Sequence, residues 1–254
     1  MAAGRHITLR ENSKNRPWLF SEPELRQKLY GRLDIKPALS PACSAHYDPQ
    51  DPQLPRWCEG EEHIPWKQPQ TNFPSDYDLN PGMRSGQNPN QPLQTAAVLI
   101  AIRFDPEPMV LFTQRTTHLA NHPGQISFPG GKIDKKDKDA TAAALREAHE
   151  ELGIDERYVE PIGFLERYET RTGFLIAPLI AILKPGFTLS ANPHEVAECF
   201  DVPLEYLMDP NNHKIECVKL NGIMRYYYAL PFETRYIWGA TAGILVNMHK
   251  RLFT

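Results

Sequence analysis

The chain of 254 residues has little that would direct it to a membrane or to nucleic acid. No apolar run approaches the roughly 20 residues needed to span a bilayer. Positive charge is not in excess. Lys+Arg 28 against Asp+Glu 31 gives a formal net charge of −3, so neither nucleic acid nor an acidic membrane is an expected partner. The opening Met1-Ala2-Ala3-Gly4-Arg5-His6 leads into no apolar segment, and Glu11 argues against an organelle presequence, so a cytoplasmic location is expected, with an organelle as the alternative that Arg5 and Arg10 leave open. Cysteine is scarce. Cys43, Cys58, Cys199 and Cys217 show no CxxC spacing, which argues against a zinc cage and favours reduced thiols. His118 and His122 have helical spacing, but Pro123 and Gly124 spoil a helix there and a zinc site with it.

What is present is unevenly spread. Residues 21–34 open as a helix, with Ser21 as cap, Pro23 and Glu24 in the first turn, and Leu25, Leu29 and Leu33 as a narrow apolar stripe. From Pro37 to Pro92 proline recurs too densely for long helices or central strands. Trp57, Ile64, Trp66, Phe73 and Tyr77 are poor linker residues, so this segment is expected to wrap irregularly over a folded body, anchored by those side chains. Residues 1–93 therefore read as an extension and 94–254 as the main domain.

In that domain, 96–102 and 109–113 suit buried strands around a turn at 105–108. Residues 140–152 suit a helix closed by Gly153. Strands are expected at 162–168 and 174–183, with Pro178 marking an edge or an interruption. Glu195–Met208 reads as containing a helical piece broken by Pro203. Asn221-Gly222 predicts a hairpin between 214–220 and 223–230, then a short strand at 236–238. A last helix at 241–252 buries Ile244, Leu245, Met248 and Leu252. Tyr226-Tyr227-Tyr228 reads as sheet packing rather than a base-stacking platform. The mixture predicts an α/β fold with a mixed sheet.

The stretch Arg146-Glu147-Ala148-His149-Glu150-Glu151-Leu152-Gly153-Ile154 carries the strongest chemical signal. At about 100° per residue, Glu147, Glu150 and Glu151 share one side of the helix, and Leu145, Ala148 and Leu152 the other. Neighbouring anions weaken a bare helix and become favourable around a hard cation such as Mg²⁺, which prefers oxygen ligands. A solvated acidic face, with Arg146 pairing to Glu150, accounts for the helix alone equally well. An EF-hand reading of Asp137-x-Asp139-x-Thr141 fails, because Ala142 stands at the glycine position and Ala148 at the bidentate glutamate position.

The wider pattern, Gly130-Gly131 followed by Arg-Glu-Ala-His-Glu-Glu-Leu-Gly-Ile, resembles the Nudix box, G-x5-E-x7-R-E-U-x-E-E-x-G-U. Gly131 stands one residue further from Arg146 than that pattern has it, and Asp137 stands near its first glutamate. The run Leu111 to Gly131, ending Gly124-Gln125-Ile126-Ser127-Phe128-Pro129-Gly130-Gly131, resembles the signature of the coenzyme A pyrophosphatase subfamily, L-L-T-x-R-S/A-x3-R-x3-G-x3-F-P-G-G. So does the longer opening Gly130-Gly131-Lys132-Ile133-Asp134-Lys135-Lys136-Asp137. Ala120 stands in place of the subfamily arginine, and Thr116 in place of Ser or Ala.

The resemblance covers about Gln94 to Leu252. It implies a Nudix-type α/β/α sandwich and a hydrolase that cleaves the diphosphate bond of coenzyme A or its derivatives. Glu147, Glu150, Glu151 and the Gly131 carbonyl would hold Mg²⁺ or Mn²⁺. Arg115, Lys132, Gly130 and Gly131 would meet the substrate. Arg146 would orient a glutamate, and Glu195 or Glu198 would act as general base. The partner is a small nucleotide-type molecule, and a homodimer is compatible with the sequence. Ala120 keeps another nucleoside diphosphate derivative, such as ADP-ribose or a dinucleotide, as the alternative substrate, and a non-catalytic Nudix binding module as the third reading.

Overall fold

The computed structural model describes residues 20–34, 63–64, 73–80, 83, 93–119 and 122–254. Expectations concerning Trp57, Trp66 and Ala120 lie outside the described residues. Strand β2 (Leu93–Phe104) runs through the middle of the molecule. Its alternate residues serve two cores. Ala97, Leu99 and Ala101 face a cluster with helix α2 (Ala140–Leu152), while Ile100 and Ile102 face a cluster with helices α1 (Glu22–Tyr30) and α4 (Ala240–Phe253). Helices on both faces of one sheet make the expected α/β/α sandwich.

The sheet is mixed. Strand β8 (Phe174–Leu183) runs parallel to β2, from Gln94↔Phe174 to Ile102↔Ile182. β3 (Pro108–Arg115) is antiparallel to β2 on its other side. Around these lie β1 (His63–Ile64), β4 (Ile126–Ser127), β5 (Gly130–Lys132), β6 (Val159–Phe164), β7 (Tyr168–Glu169) and β9 (Val196–Pro203). A separate antiparallel sheet joins β10 (Lys214–Leu220), β11 (Ile223–Phe232) and β12 (Arg235–Trp238). The expected hairpin turn holds, with Asn221 at φ 50° and Gly222 at φ 81°.

The N-terminal helix forms as its sequence predicts. The Ser21 N–H and hydroxyl both donate to Glu24, at 2.9 and 2.6 Å. Leu25 and Leu29 are wholly buried, each worth roughly 2 kcal/mol in area removed from water. Phe73 and Tyr77 are buried, and Phe73 clusters with Leu93 and Leu175, so that part of the proline-rich segment is anchored by aromatics as expected.

Two expectations need correction. Pro178 lies on β8, between β2 and β6, and not at an edge. Its backbone polar edge faces residues 165–167, where the anticipated strand at 162–168 breaks into β6 and β7. The Pro178 carbonyl accepts from Leu165 N–H at 3.0 Å, and the gap beside it asks for no proline N–H. The second concerns Glu195–Met208, where the expected helical piece lies wholly after Pro203 and the part up to it, Val196–Pro203, is extended. That part is strand β9, paired with β3 from Met109↔Pro203 to Arg115↔Val196, and the helix is only the short α3 (Leu204–Met208). Pro203 begins that helix rather than breaking one.

Candidate active site

Strand β5 carries the glycine pair along β2, with Val98 opposite Gly130 and Ala97 opposite Gly131. Both positions exclude a side chain by close approach. A Cβ on Gly130 would stand 2.5 Å from the Ala97 carbonyl oxygen, and one on Gly131 would stand 2.5 Å from Glu147 Oε1. The loop is therefore pressed between a central strand and the acidic helix. That helix can come so close because its inner face is small: Ala140, Ala143, Ala144 and Ala148 are all buried against the sheet. Asp139 caps it by accepting from Ala142 N–H at 2.8 Å, and Gly153 ends it in the left-handed region at φ 68°.

The three glutamates are treated differently by this packing. Glu151 is buried, only 3% exposed, and accepts from Gly130 N–H at 3.2 Å. Its second oxygen lies 3.9 Å from Arg115 Nη1. Burial, reinforced by the charges of Glu147 and Glu195, pushes its carboxyl up to about 8, against the opposing pull of Gly130 N–H and Arg115. Burial also raises Glu147, with Glu150 and Glu195 adding to it and Arg146 opposing. Glu150 is exposed at the helix surface and accepts from Arg146 Nη1 at 2.8 Å.

Arg146 organises the cluster. Its Nε and Nη2 fork onto buried Asp137, both at 2.9 Å, while Nη1 also reaches Glu147 at 2.9 Å and Nη2 the Lys132 carbonyl at 3.0 Å. Burial pushes Asp137 up, but the Arg146 fork and the Asp134 N–H overcome it and hold the carboxyl below its usual range. Asp137 is the residue whose part the sequence did not reveal. It was visible only as an acid near the expected glutamate, and its pairing with Arg146 spans the loop and the start of the helix.

The glycine loop, Glu147, Glu151, Arg115 and Arg146 are thus brought together. Glu195 also belongs here: its charge is felt by Glu147 and Glu151, and its backbone carbonyl accepts from Thr116 N–H at 3.0 Å. Glu198 does not. A register shift between Gln114 and Arg115 turns β9, so that Glu198 shares a face with Phe200 and Val202 of the other core. It pairs there with Arg235, whose guanidinium lies 4.2 Å from the centroid of the Phe200 ring. Lys132 is exposed, its Nζ 5.9 Å from the centroid of the Phe174 ring. Among the described residues, no three His, Cys, Asp or Glu side chains stand converged as a ready metal cage. The donors nonetheless suit a hard divalent cation. Two desolvated, mutually repelling carboxylates lie against a glycine backbone, and Arg115 approaches only one of them.

A glycine loop packed on a glutamate helix, with arginines at its border, suits a hard cation together with an anionic ligand. The NUDIX domain model matches residues 93–221, and the chain belongs to that family. It is 39% identical over 157 residues to the Nudix hydrolase NudL of Photorhabdus laumondii, covering 62% of this chain and 84% of that one. Identity to NudL of Escherichia coli K12 is 39% over 150 residues, covering 59% and 78%. Among solved structures, a C. elegans Ap4A hydrolase binary complex aligns with a TM-score of 0.38 at 22% identity, over 43% of this chain and 80% of that one. The NUDIX domain of Shewanella oneidensis NrtR complexed with ADP ribose aligns with a TM-score of 0.36 at 18% identity, over 51% and 82%. The chain is therefore a Nudix hydrolase acting on a pyrophosphate linkage in a small nucleotide-type molecule. Enzymes of this family generally need divalent metal ions. No helix among the described residues is long and apolar enough to cross a membrane.

Proposed function

We propose that the chain cleaves coenzyme A or its derivatives to 4′-phosphopantetheine and adenosine 3′,5′-bisphosphate. The observation that carries this reading is the run from Leu111 to Asp137, which joins the subfamily signature to its longer box opening. The substrate is polyanionic, so the site must neutralise charge before water can attack phosphorus. Glu147, Glu151 and the Gly131 carbonyl would hold Mg²⁺ or Mn²⁺, with Glu150 joining them on leaving Arg146. The bound metal supplies charge neutralisation at the phosphate oxygens and an acidified water.

The chain's own residues do the rest. Gly130 N–H and Arg115 hold Glu151 in place. Arg146 positions Glu147, and Asp137 positions Arg146. Arg115 and Lys132 are the cations available to substrate phosphates. Glu195 would accept the proton of the attacking water, a reading supported by its charge being felt by Glu147 and Glu151, whereas Glu198 pairs with Arg235. We assign 94–254 as the catalytic domain and 1–93 as its extension, with β2 starting at Leu93 and α1 sharing a core with α4.

A substrate panel with Mg²⁺ or Mn²⁺ tests the reading. Coenzyme A and its thioesters should be cleaved in preference to other diphosphates, and no cleavage of any of them would overturn it. The second reading, ADP-ribose or a dinucleotide, is favoured by Ala120 in place of the subfamily arginine. Preference for coenzyme A over every other compound would remove it.

A further inference from the structure

Away from the glutamates, a cleft of about 380 Å³ opens between residues 75–80 with Met83 and the β10–β12 sheet. Its volume falls within the roughly 300–1,000 Å³ of small-molecule sites. Its walls include Tyr77, Tyr227 and Trp238, with the rings of Tyr227 and Trp238 edge-to-face at 5.5 Å. Trp238 is 40% exposed, so an aromatic face is open to a ligand. All three tyrosines of the run line the cleft; Tyr228 also packs against the core as expected, and Tyr227 stands beside Trp238.

Arg225 lines the same cleft. Among the described residues, its Nε is buried without a hydrogen-bond partner, and Nη1 has only Met83 Sδ at 3.8 Å. Among the described residues no carboxylate pairs with it. The nearby acid, Asp76, already has both oxygens engaged, by the Tyr168 hydroxyl and the Arg171 N–H, each at 2.9 Å. An uncompensated guanidinium beside open aromatic rings suits an aromatic base carrying a phosphate.

The cleft adjoins the active site. Gln125 lines it, and the Gln125 carbonyl accepts from the N–H of Arg115, whose guanidinium approaches Glu151. We propose that this cleft takes the nucleoside end of the substrate, the base against Trp238 and Tyr227 and a phosphate monoester on Arg225. The proposal rests on the coenzyme A reading for the substrate it names. Arg225, Tyr227 and Trp238 lie beyond the segment 93–221 matched by the family model, while Gln125 lies within it.

The test is calorimetric titration of the metal-free full chain with adenosine 3′,5′-bisphosphate and, separately, with adenosine 5′-monophosphate. We expect Arg225→Gln to weaken the bisphosphate by roughly tenfold, as the loss of one charge-assisted bond implies. The monophosphate should change far less, while Trp238→Ala should weaken both. Arg225→Lys should recover part of the bisphosphate binding. In turnover, Arg225→Gln should lower the kcat/KM ratio of coenzyme A to dephospho-coenzyme A by the same factor. Equal bisphosphate affinity in wild type and Arg225→Gln would overturn the proposal, even if coenzyme A is cleaved. Arg225-dependent binding in a chain that cleaves no coenzyme A would instead keep the cleft and discard the substrate reading.

Discussion

Replacing Glu151 by Gln should move stability and activity in opposite directions. The side chain is buried, and its carboxyl is pushed from 4.5 up to about 8 by that burial and by neighbouring acids. Between those values the folded chain keeps a proton that the unfolded chain has released, so metal-free wild type loses stability as pH rises through the window. At about 1.4 kcal/mol per tenfold change in proton affinity, the full shift would be worth up to about 5 kcal/mol. Relaxation and water entry reduce such penalties, and about 3 kcal/mol is expected. Gln stays neutral and keeps an oxygen for Gly130 N–H. In a chelator at pH 9, the variant should therefore melt roughly 6–12 °C above wild type. At pH 4, where the glutamate is protonated in both states, the two should coincide. With Mg²⁺ or Mn²⁺ present, turnover of the variant should fall by orders of magnitude. Equal melting of both proteins at pH 9 would refute the argument that Glu151 is an uncompensated buried acid. Unchanged turnover would take it out of the mechanism.

Arg146→Ala leaves buried Asp137 without its fork and should cost about 2–4 kcal/mol by denaturant unfolding. Arg146→Lys keeps the charge but not the two parallel bonds, and should recover less than half of that loss. The two glycines should separate structure from chemistry. Gly130→Ala meets the Ala97 backbone and should cost about 2–4 kcal/mol of stability. Gly131→Ala meets first the movable Glu147 carboxylate, so turnover should fall at least roughly tenfold for a smaller change in melting temperature. Glu195→Gln should lower turnover by about 10²-fold, as for loss of a general base, while Glu198→Gln should stay within about twofold. The reverse order would place the base on the other face of β9.

The parts of this molecule that were legible in the sequence are those set by local chemistry. The acidic helix closed at Gly153 as expected, because caps act within one turn. The hairpin followed from two adjacent residues with positive φ. Within Glu195–Met208 the helical piece was legible but the strand at 196–203 was not, because its strand character comes from pairing with β3, which no local pattern announces. The same register shift on β9 decides the general base, since it turns Glu198 away while Glu195 stays near the glutamates. Pro178 was misjudged for a related reason. Whether proline fits a strand depends on what its neighbour offers, and here the neighbour has a gap at residues 165–167.

The glutamates alone do not explain why this site is built as it is. Carboxylates on a solvated helix face would settle near their ordinary proton affinities, whereas Glu151 and Glu147 are raised by burial. The alanine face of α2 draws the helix onto β2 and β5, and Gly130 and Gly131 let the loop close over the acids. That packing desolvates Glu151 and leaves Arg146 committed mainly to Asp137. The fold therefore disfavours two neighbouring anions, a penalty that a proton on Glu151 relieves below about pH 8 and that a divalent cation would relieve by taking that proton's place. Metal binding and folding stability should then be coupled: the melting temperature should rise with Mg²⁺ concentration in wild type, and much less in Glu151→Gln. A cluster that was only a solvated acidic face would show no such difference between the two proteins.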